Sequence, residues 1–215
     1  MTDLLGPRGL SELRKLASSS SLLAFDFAGT LAPIVRHAHE AAMRPRTRSL
    51  LTRVALRFPC AVISGRSLSD LRPRFRGVPI RWFIGNHGAE DDIDAAGAAA
   101  RADALEPLRR SLLAKTETLT AAGVTIEDKG QSIALHYRLS REPGHALALI
   151  RQTLASTPAP LHVFAGKMVV NATAQGAPDK AHAVRGLLAR SGASCALFAG
   201  DDVNDEPVFA AAPPS

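Results

Sequence analysis

Short apolar runs alternate with segments of helical period along the first ninety residues. Residues 22–27, 60–63 and 80–84 read as strands. Each is too short to be a helix and is bounded by Gly, Pro or polar residues. Between them, residues 10–18 and 67–75 read as short helices. Residues 46–57 place Leu50, Leu51, Val54 and Ala55 on one helical face, closed by Pro59. Strand–helix alternation of this kind predicts a parallel sheet covered on both faces.

The pattern changes after Asp91. Residues 94–100 read as a small-residue turn and 102–121 as one long helix. Residues 125–128 and 132–139 form an alternating pair around Lys129-Gly130. A helix at 144–154 follows, then a second hairpin, 161–165 with 168–172, turning at Gly166-Lys167. The earlier style resumes with a helix at 179–190 and a strand at 196–199. The expected architecture is therefore α/β. A core made of residues 1–92 and 175–215 is interrupted by an α+β insert, residues 93–174.

Composition narrows the class. With 215 residues, 46% hydrophobic and 21% charged, the chain can bury a real core. No apolar run reaches membrane-spanning length, and no apolar stretch with a cleavage site follows Arg8, Arg14 and Lys15. Cys60 and Cys195, each at the start of a strand, read as buried free thiols, which fits a reducing cytoplasm. The net charge of +6 comes largely from arginine, in segments 36–57 and 72–81. Aromatics are only 5% and supply no stacking platform, so nucleic acid is not expected. A small anionic substrate suits the same positive field. His37 and His39 read as a solvated loop rather than a metal pair.

The chemistry gathers where ligands of such sheets bind, at the carboxyl ends of strands. Asp26 ends the first strand and opens Asp26-Phe27-Ala28-Gly29-Thr30. A carboxylate fixed there, followed by loop N–H groups and a Thr hydroxyl, suits covalent phosphoryl chemistry. Ser64-Gly65-Arg66 and Asn86-His87 follow the next two strands. Lys180 opens a helix, and Gly200-Asp201-Asp202-Val203-Asn204-Asp205 follows the last strand. Taken singly, these are an ordinary cap, a solvent-facing lysine and a turn. Together and in this order they resemble the haloacid dehalogenase-like (HAD) phosphatases.

A narrower resemblance is to the trehalose-6-phosphate phosphatases. It rests on Ile63-Ser64-Gly65-Arg66-Ser67, Gly85-Asn86-His87-Gly88-Ala89-Glu90, Leu135-His136-Tyr137-Arg138, Gly166-Lys167 and the stretch from Gly200 to Glu206. It implies a HAD-like Rossmannoid core with an inserted α/β cap, and a Mg2+-dependent hydrolysis of trehalose 6-phosphate through an aspartyl-phosphate. Asp26 is then the nucleophile, Ser64 and Lys180 hold phosphate charge, and Gly29 and Thr30 complete the cradle. Mg2+ falls to Asp26, the main-chain carbonyl of Ala28 and Asp201, with Asp202 and Asp205 orienting its water shell. Gly65, Arg66, Asn86 and His87 belong to the motifs that face substrate. Glu127, Lys129, His136, Lys167 and Asn171 are the implied sugar contacts. A monomer or weak homo-oligomer is expected.

Three departures from that pattern change the expectation. The family carries at position 28 an Asp that protonates the leaving oxygen and activates water; here it is Ala. Loss of such acid–base help costs on the order of 10²–10⁴ in rate. A slowed or regulatory relative, a substitution made to trap substrate, or a different reaction all accommodate it. The last, as in the phosphonoacetaldehyde hydrolases, goes with a helical cap placed earlier in the chain. Second, Asn171, Thr173 and Ala174 stand where Glu and Arg-Pro are usual, Asp179-Lys180-Ala181 where Asn-Lys-Gly is usual, and Asn204 where Thr is usual. These leave phosphate handling intact but loosen the assignment of the sugar. Third, the chain stops soon after its last motif, which is expected to leave the strand before Asp201 at a sheet edge. The expectation is a sugar-phosphate phosphatase of slow turnover; the rival is a non-catalytic sugar-phosphate-binding protein.

Overall fold

The computed structural model describes residues 3–18, 20–35 and 38–211. His37 and residues 212–215 lie outside them. In chain order, α1 (Pro7–Ser18) leads into β1 (Ser21–Phe25), followed by α2 (Pro45–Ala55), β2 (Cys60–Ile63), α3 (Leu68–Leu71) and β3 (Trp82–Ile84). Next come α4 (Ala95–Ala104), α5 (Glu106–Ala114), α6 (Thr116–Ala121), β4 (Thr125–Asp128) and β5 (Ser132–His136). The chain continues through α7 (Pro143–Ala155), β6 (Leu161–Gly166), β7 (Val169–Ala174), α8 (Lys180–Ser191), β8 (Cys195–Ala199) and α9 (Glu206–Ala210).

Two four-stranded sheets result. The first is wholly parallel in the order β3-β2-β1-β8, so β1, which leads to Asp26, is flanked on both sides. Its strands bury residues alternately on two faces. Phe27 and Val62 pack with Leu51 of α2 and Leu71 of α3. Leu22, Ala24, Ala61 and Ile63 pack instead with Ala183 and Leu187 of α8. β8 lies at one end of the sheet, with α9 reaching back through a Phe198–Phe209 ring contact at 5.7 Å. The second sheet is antiparallel in the order β4-β5-β7-β6 and comes entirely from the inserted stretch. Ile133, Leu135, Val170 and Ala172 turn toward the helices α5 to α7 and share a core with Leu108, Leu119 and Ile150.

The long helix expected over 102–121 is broken into three, and its first piece starts within the expected turn. Asp94 caps α4 by accepting from Gly97 N at 3.0 Å, and the alanines that follow favour helix. Pro107 sits in the first turn of α5 and cannot continue the α4 ladder. The second hairpin turns at Lys167-Met168, one residue later than expected, with Met168 at φ +63°. Cys60 is buried, and burial pushes its thiol up to about 11. Cys195 is only half-buried, with its Sγ 3.2 Å from Ser21 Oγ.

The lobes meet mainly through polar contacts. Ser132 Oγ donates to Asn86 Oδ1 at 2.6 Å, and Asn86 Nδ2 donates to the Lys129 carbonyl at 3.1 Å. Lys129 Nζ reaches the Gly65 carbonyl at 3.0 Å. The turn that presents Asn86 and His87 holds both residues, and Gly88 at φ +116°, in the left-handed region. A Cβ on Gly88 would stand 2.3 Å from the Asp179 carbonyl oxygen. Gly88→Ala is therefore expected to destabilise the chain by about 1–3 kcal/mol, read as a lowered urea midpoint at unchanged m-value.

Candidate active site

Asp26 lies one residue beyond β1, with its N–H bonded to the Ala199 carbonyl of β8 at 2.8 Å. The residue is buried, with its side chain 7% exposed. Lys180, first residue of α8, is buried and donates to Asp26 Oδ1 at 2.7 Å and to Asp205 Oδ1 at 2.6 Å. The helix is aimed by Asp179, whose side chain accepts from His182 N at 2.7 Å. The other Asp205 oxygen accepts from the N–H groups of Asp201 and Asp202, both at 3.0 Å. Asp205 thus locks the loop after β8 onto the lysine. Burial pushes the Asp26 carboxyl up from its usual range, and Lys180 opposes that shift without cancelling it.

Asp201 faces Asp26 across the strand ends. Its carboxylate accepts from Lys167 Nζ of the cap at 2.8 Å and from Thr30 Oγ1 at 3.4 Å. Asp26, Asp201 and Asp205 offer ligand atoms within 4.8 Å of one another. Hard carboxylate oxygens clustered in this way match what Mg2+ takes. Asp202 stands outside that cluster and caps the following turn, accepting from Val203 N at 2.9 Å. Gly29, at φ +101°, passes so close to Asp201 that a Cβ would stand 2.1 Å from its Oδ2. This closeness explains why the loop has glycine there.

Asp201, the outer member of the acidic group, lines a cavity of about 550 Å³ between the lobes. Ala28, Arg66, Asp201 and Asp202 line it from the core, and Glu127, His136 and Lys167 from the cap. The cap wall is the polar face of the antiparallel sheet. Across it, Glu127, Ala134, Asn171 and Phe164 lie in one register row, with Thr125, His136 and Val169 in the next. His136 Nε2 and Glu127 Oε2 are 2.8 Å apart. Arg66 lies over the Phe27 ring at 5.3 Å and pairs with Asp70.

Other expected residues lie outside the lining of the large cavity. Ser64 is buried at the end of β2, its carbonyl accepting from His87 N. Gly65 lies beneath the His87 ring, where a Cβ would stand 2.3 Å from Cε1. That ring packs edge-on against Phe164 at 4.9 Å and lines a smaller cavity of about 240 Å³ with Lys180 and Asn204. Burial, then the Lys129 and Lys180 charges, hold His87 well below the usual histidine range, so it is neutral. Asn86 and Lys129 direct their polar groups to the contact between the lobes, and Asn171 is buried on β7.

Two further residues shape the site. Arg138 lines the large cavity and ties the Val35 and Lys167 carbonyls together at 3.0 Å each. Glu90 holds Asn86 by accepting from its Nδ2 at 2.8 Å. Both stand inside the quoted motifs, so motif membership was the signal available for each.

An inserted cap over a parallel sheet with acidic loops at its carboxyl edge defines a haloacid dehalogenase-like protein. Comparison narrows the class: the chain belongs to the trehalose-phosphatase family, whose sequence profile matches residues 24–214. It is 32% identical over 211 residues to a trehalose-phosphate phosphatase of Mycobacterium avium (strain 104), covering 90% of this chain and 52% of that protein. It is 30% identical over 226 residues to one of Mycobacterium tuberculosis (strain ATCC 25618 / H37Rv), covering 97% and 55%. The chain thus spans about half the length of the curated relatives it matches. The C-terminal domain of the Candida albicans trehalose-6-phosphate phosphatase superposes with a TM-score of 0.75 over 95% of this chain and 77% of that one. At 22% identity that likeness concerns the fold.

Removing the lysine tests how far the site depends on it. Lys180→Met leaves Asp26 and Asp205 facing each other without a cation. It is expected to lower stability by about 3–5 kcal/mol, measured by urea denaturation without divalent ions.

Proposed function

We propose that this chain is the phosphatase unit of a sugar-phosphate hydrolase, acting on trehalose 6-phosphate to give trehalose and phosphate, with turnover slowed by Ala28. The observation that carries this reading is the buried Asp26–Lys180–Asp205 group beside Asp201, which with Ala28 lines a cavity walled by the polar face of the cap. A parallel-sheet core of residues 1–92 and 175–215 supplies the phosphate end. A cap of residues 93–174 supplies the sugar end.

In this mechanism Asp26 attacks phosphorus in line, and the sugar oxygen leaves to give an aspartyl-phosphate that water hydrolyses. Charge on the peripheral phosphoryl oxygens makes the catalysis largely electrostatic. Lys180 faces the nucleophile, and the Thr30 hydroxyl and Ser64 would border the phosphate position, whereas the Gly29 amide is held by the Ala32 carbonyl at 2.7 Å. Mg2+ would be held by Asp26, Asp201 and the Ala28 carbonyl, and when bound supplies further neutralisation of phosphate charge. Both oxygens of Asp205 are already committed, to Lys180 and to two amides, which makes it the residue that orients this set. Glu127, His136 and Lys167 face the sugar. The buried Cys60 thiol suits a reducing, cytoplasmic setting.

Ala28 also favours a second reading, a sugar-phosphate-binding protein that uses the same pocket without turnover. Phosphate release from trehalose 6-phosphate with Mg2+ separates the two. The native chain is expected to be slow, Ala28→Asp faster by about 10²–10⁴, and Asp26→Asn silent in either background. Sugar-phosphate binding with no release by the native chain or by Ala28→Asp would establish the second reading.

A further inference from the structure

The cavity beside Ala28 contains an acid–base pair on its opposite wall. His136 of β5 and Glu127 of β4 sit diagonally on neighbouring strands, with Nε2 and Oε2 2.8 Å apart. Glu127 is steadied by Lys129 Nζ at 3.8 Å. The hydrogen bond from His136, together with Lys129, holds the Glu127 carboxyl below its usual range although burial opposes this. The pair is ionised on the carboxylate side, and a carboxylate on one ring nitrogen fixes the imidazole's tautomer and orientation. Imidazole is the side chain suited to exchanging a proton near neutral pH.

The other charged groups on this cavity already have protein partners. Lys167 is bonded to Asp201, Arg138 to two carbonyls, and Asp202 caps a turn. Arg66 pairs with Asp70 and does not deprotonate. His39, on a short turn of the core, is the other histidine lining the cavity.

We propose that His136, oriented by Glu127, is the general acid and base of this site, in the role that the side chain at position 28 cannot fill. This rests on the phosphatase reading above. In the first step an Asp26 oxygen bonds to phosphorus and the bond from phosphorus to the sugar oxygen breaks. The His136 imidazolium gives the Nδ1 proton to the departing oxygen, while Nε2–H stays with Glu127. In the second step the neutral imidazole takes a proton from water as the water oxygen bonds to phosphorus. The bond to Asp26 breaks, phosphate is released, and the imidazolium is restored.

A histidine that merely clamps a sugar hydroxyl would raise KM; an acid matters through the leaving group. The test compares His136→Asn and Glu127→Gln in the native chain and in Ala28→Asp, with His39→Asn as a parallel arm. Two readouts are used: steady-state release from trehalose 6-phosphate, and the nitrophenolate burst from p-nitrophenyl phosphate, whose leaving group departs without a proton. In the native chain His136→Asn is expected to lower kcat on the sugar phosphate about 10²-fold, with Glu127→Gln acting in the same direction but less. The nitrophenolate burst should fall far less. With Asp at position 28 the same His136 substitution should cost only a few-fold in kcat.

Four results would overturn the proposal: a rise in KM alone, equal losses for both leaving groups, the same kcat loss with Asp at 28, or loss through His39→Asn and not His136→Asn. A native chain with no turnover beside an active Ala28→Asp would also overturn it, while leaving the phosphatase reading in place. Absence of Asp26-dependent turnover in both backgrounds would instead remove the phosphatase reading itself.

Discussion

One buried ammonium organises the site. Lys180 binds carboxylates from the end of β1 and from the turn after β8, so residues 26, 180 and 205 meet at a single nitrogen. Burying ions costs several kcal/mol each, and that cost is offset only when the remaining lone pairs are also satisfied. Asp205 meets this condition, its second oxygen taking two backbone amides, whereas Asp26 also faces the carboxylate of Asp201. Two carboxylates around one ammonium leave a net negative charge, and Asp201 adds a third carboxylate at its edge. Such a centre welcomes a small hard cation, and it fixes α8, β1 and the last loop in one geometry.

The cap follows a different constraint. Its sheet has an apolar face spent on its own helices and a polar face turned toward the core. The contacts that close it over the strand ends are hydrogen bonds from Ser132, Asn86, Lys129, Arg138 and Lys167, plus one ring contact between His87 and Phe164. Water can replace most of these when the lobes part, whereas an apolar interface of similar size would resist opening. Each lobe therefore keeps its own core, and the polar seam between them is available to substrate.

Much of this was legible in the sequence because it is local. The strand runs ending at Asp26, Ser64 and Asn86, and the Asp179 cap before Lys180, are short-range patterns that the structure reproduces as elements. The helix expected over 102–121 breaks because Pro107 cannot continue the preceding ladder, a single-residue effect within a stretch of otherwise helical period. The function of Asn86 was harder to read: its partners Lys129 and Ser132 lie 43 and 46 residues away, and no local pattern carries such a pairing. The bond made by Lys129 is equally long-range. A basic residue at a hairpin turn reads as solvent- or ligand-facing, and only the packed lobes bring it onto the Gly65 carbonyl.

Position 28 separates what the loop builds from what the loop does. Gly29 N bonds to the Ala32 carbonyl at 2.7 Å, and Leu31 and Ala32 both bond back to Phe27, so the turn closes on backbone alone. An alanine at 28 therefore leaves the position of Asp26, the approach of Gly29 to Asp201 and the residue 28 carbonyl in place. In the mechanism proposed above, what the missing carboxylate removes is proton transfer to and from the reacting oxygens, a kinetic contribution. On that reading the rate passes to whichever proton carrier the cavity still holds. The hydrogen-bonded imidazole proposed for that role stands on the opposite wall, and the cap that would bring the sugar to Asp26 would bring His136 with it.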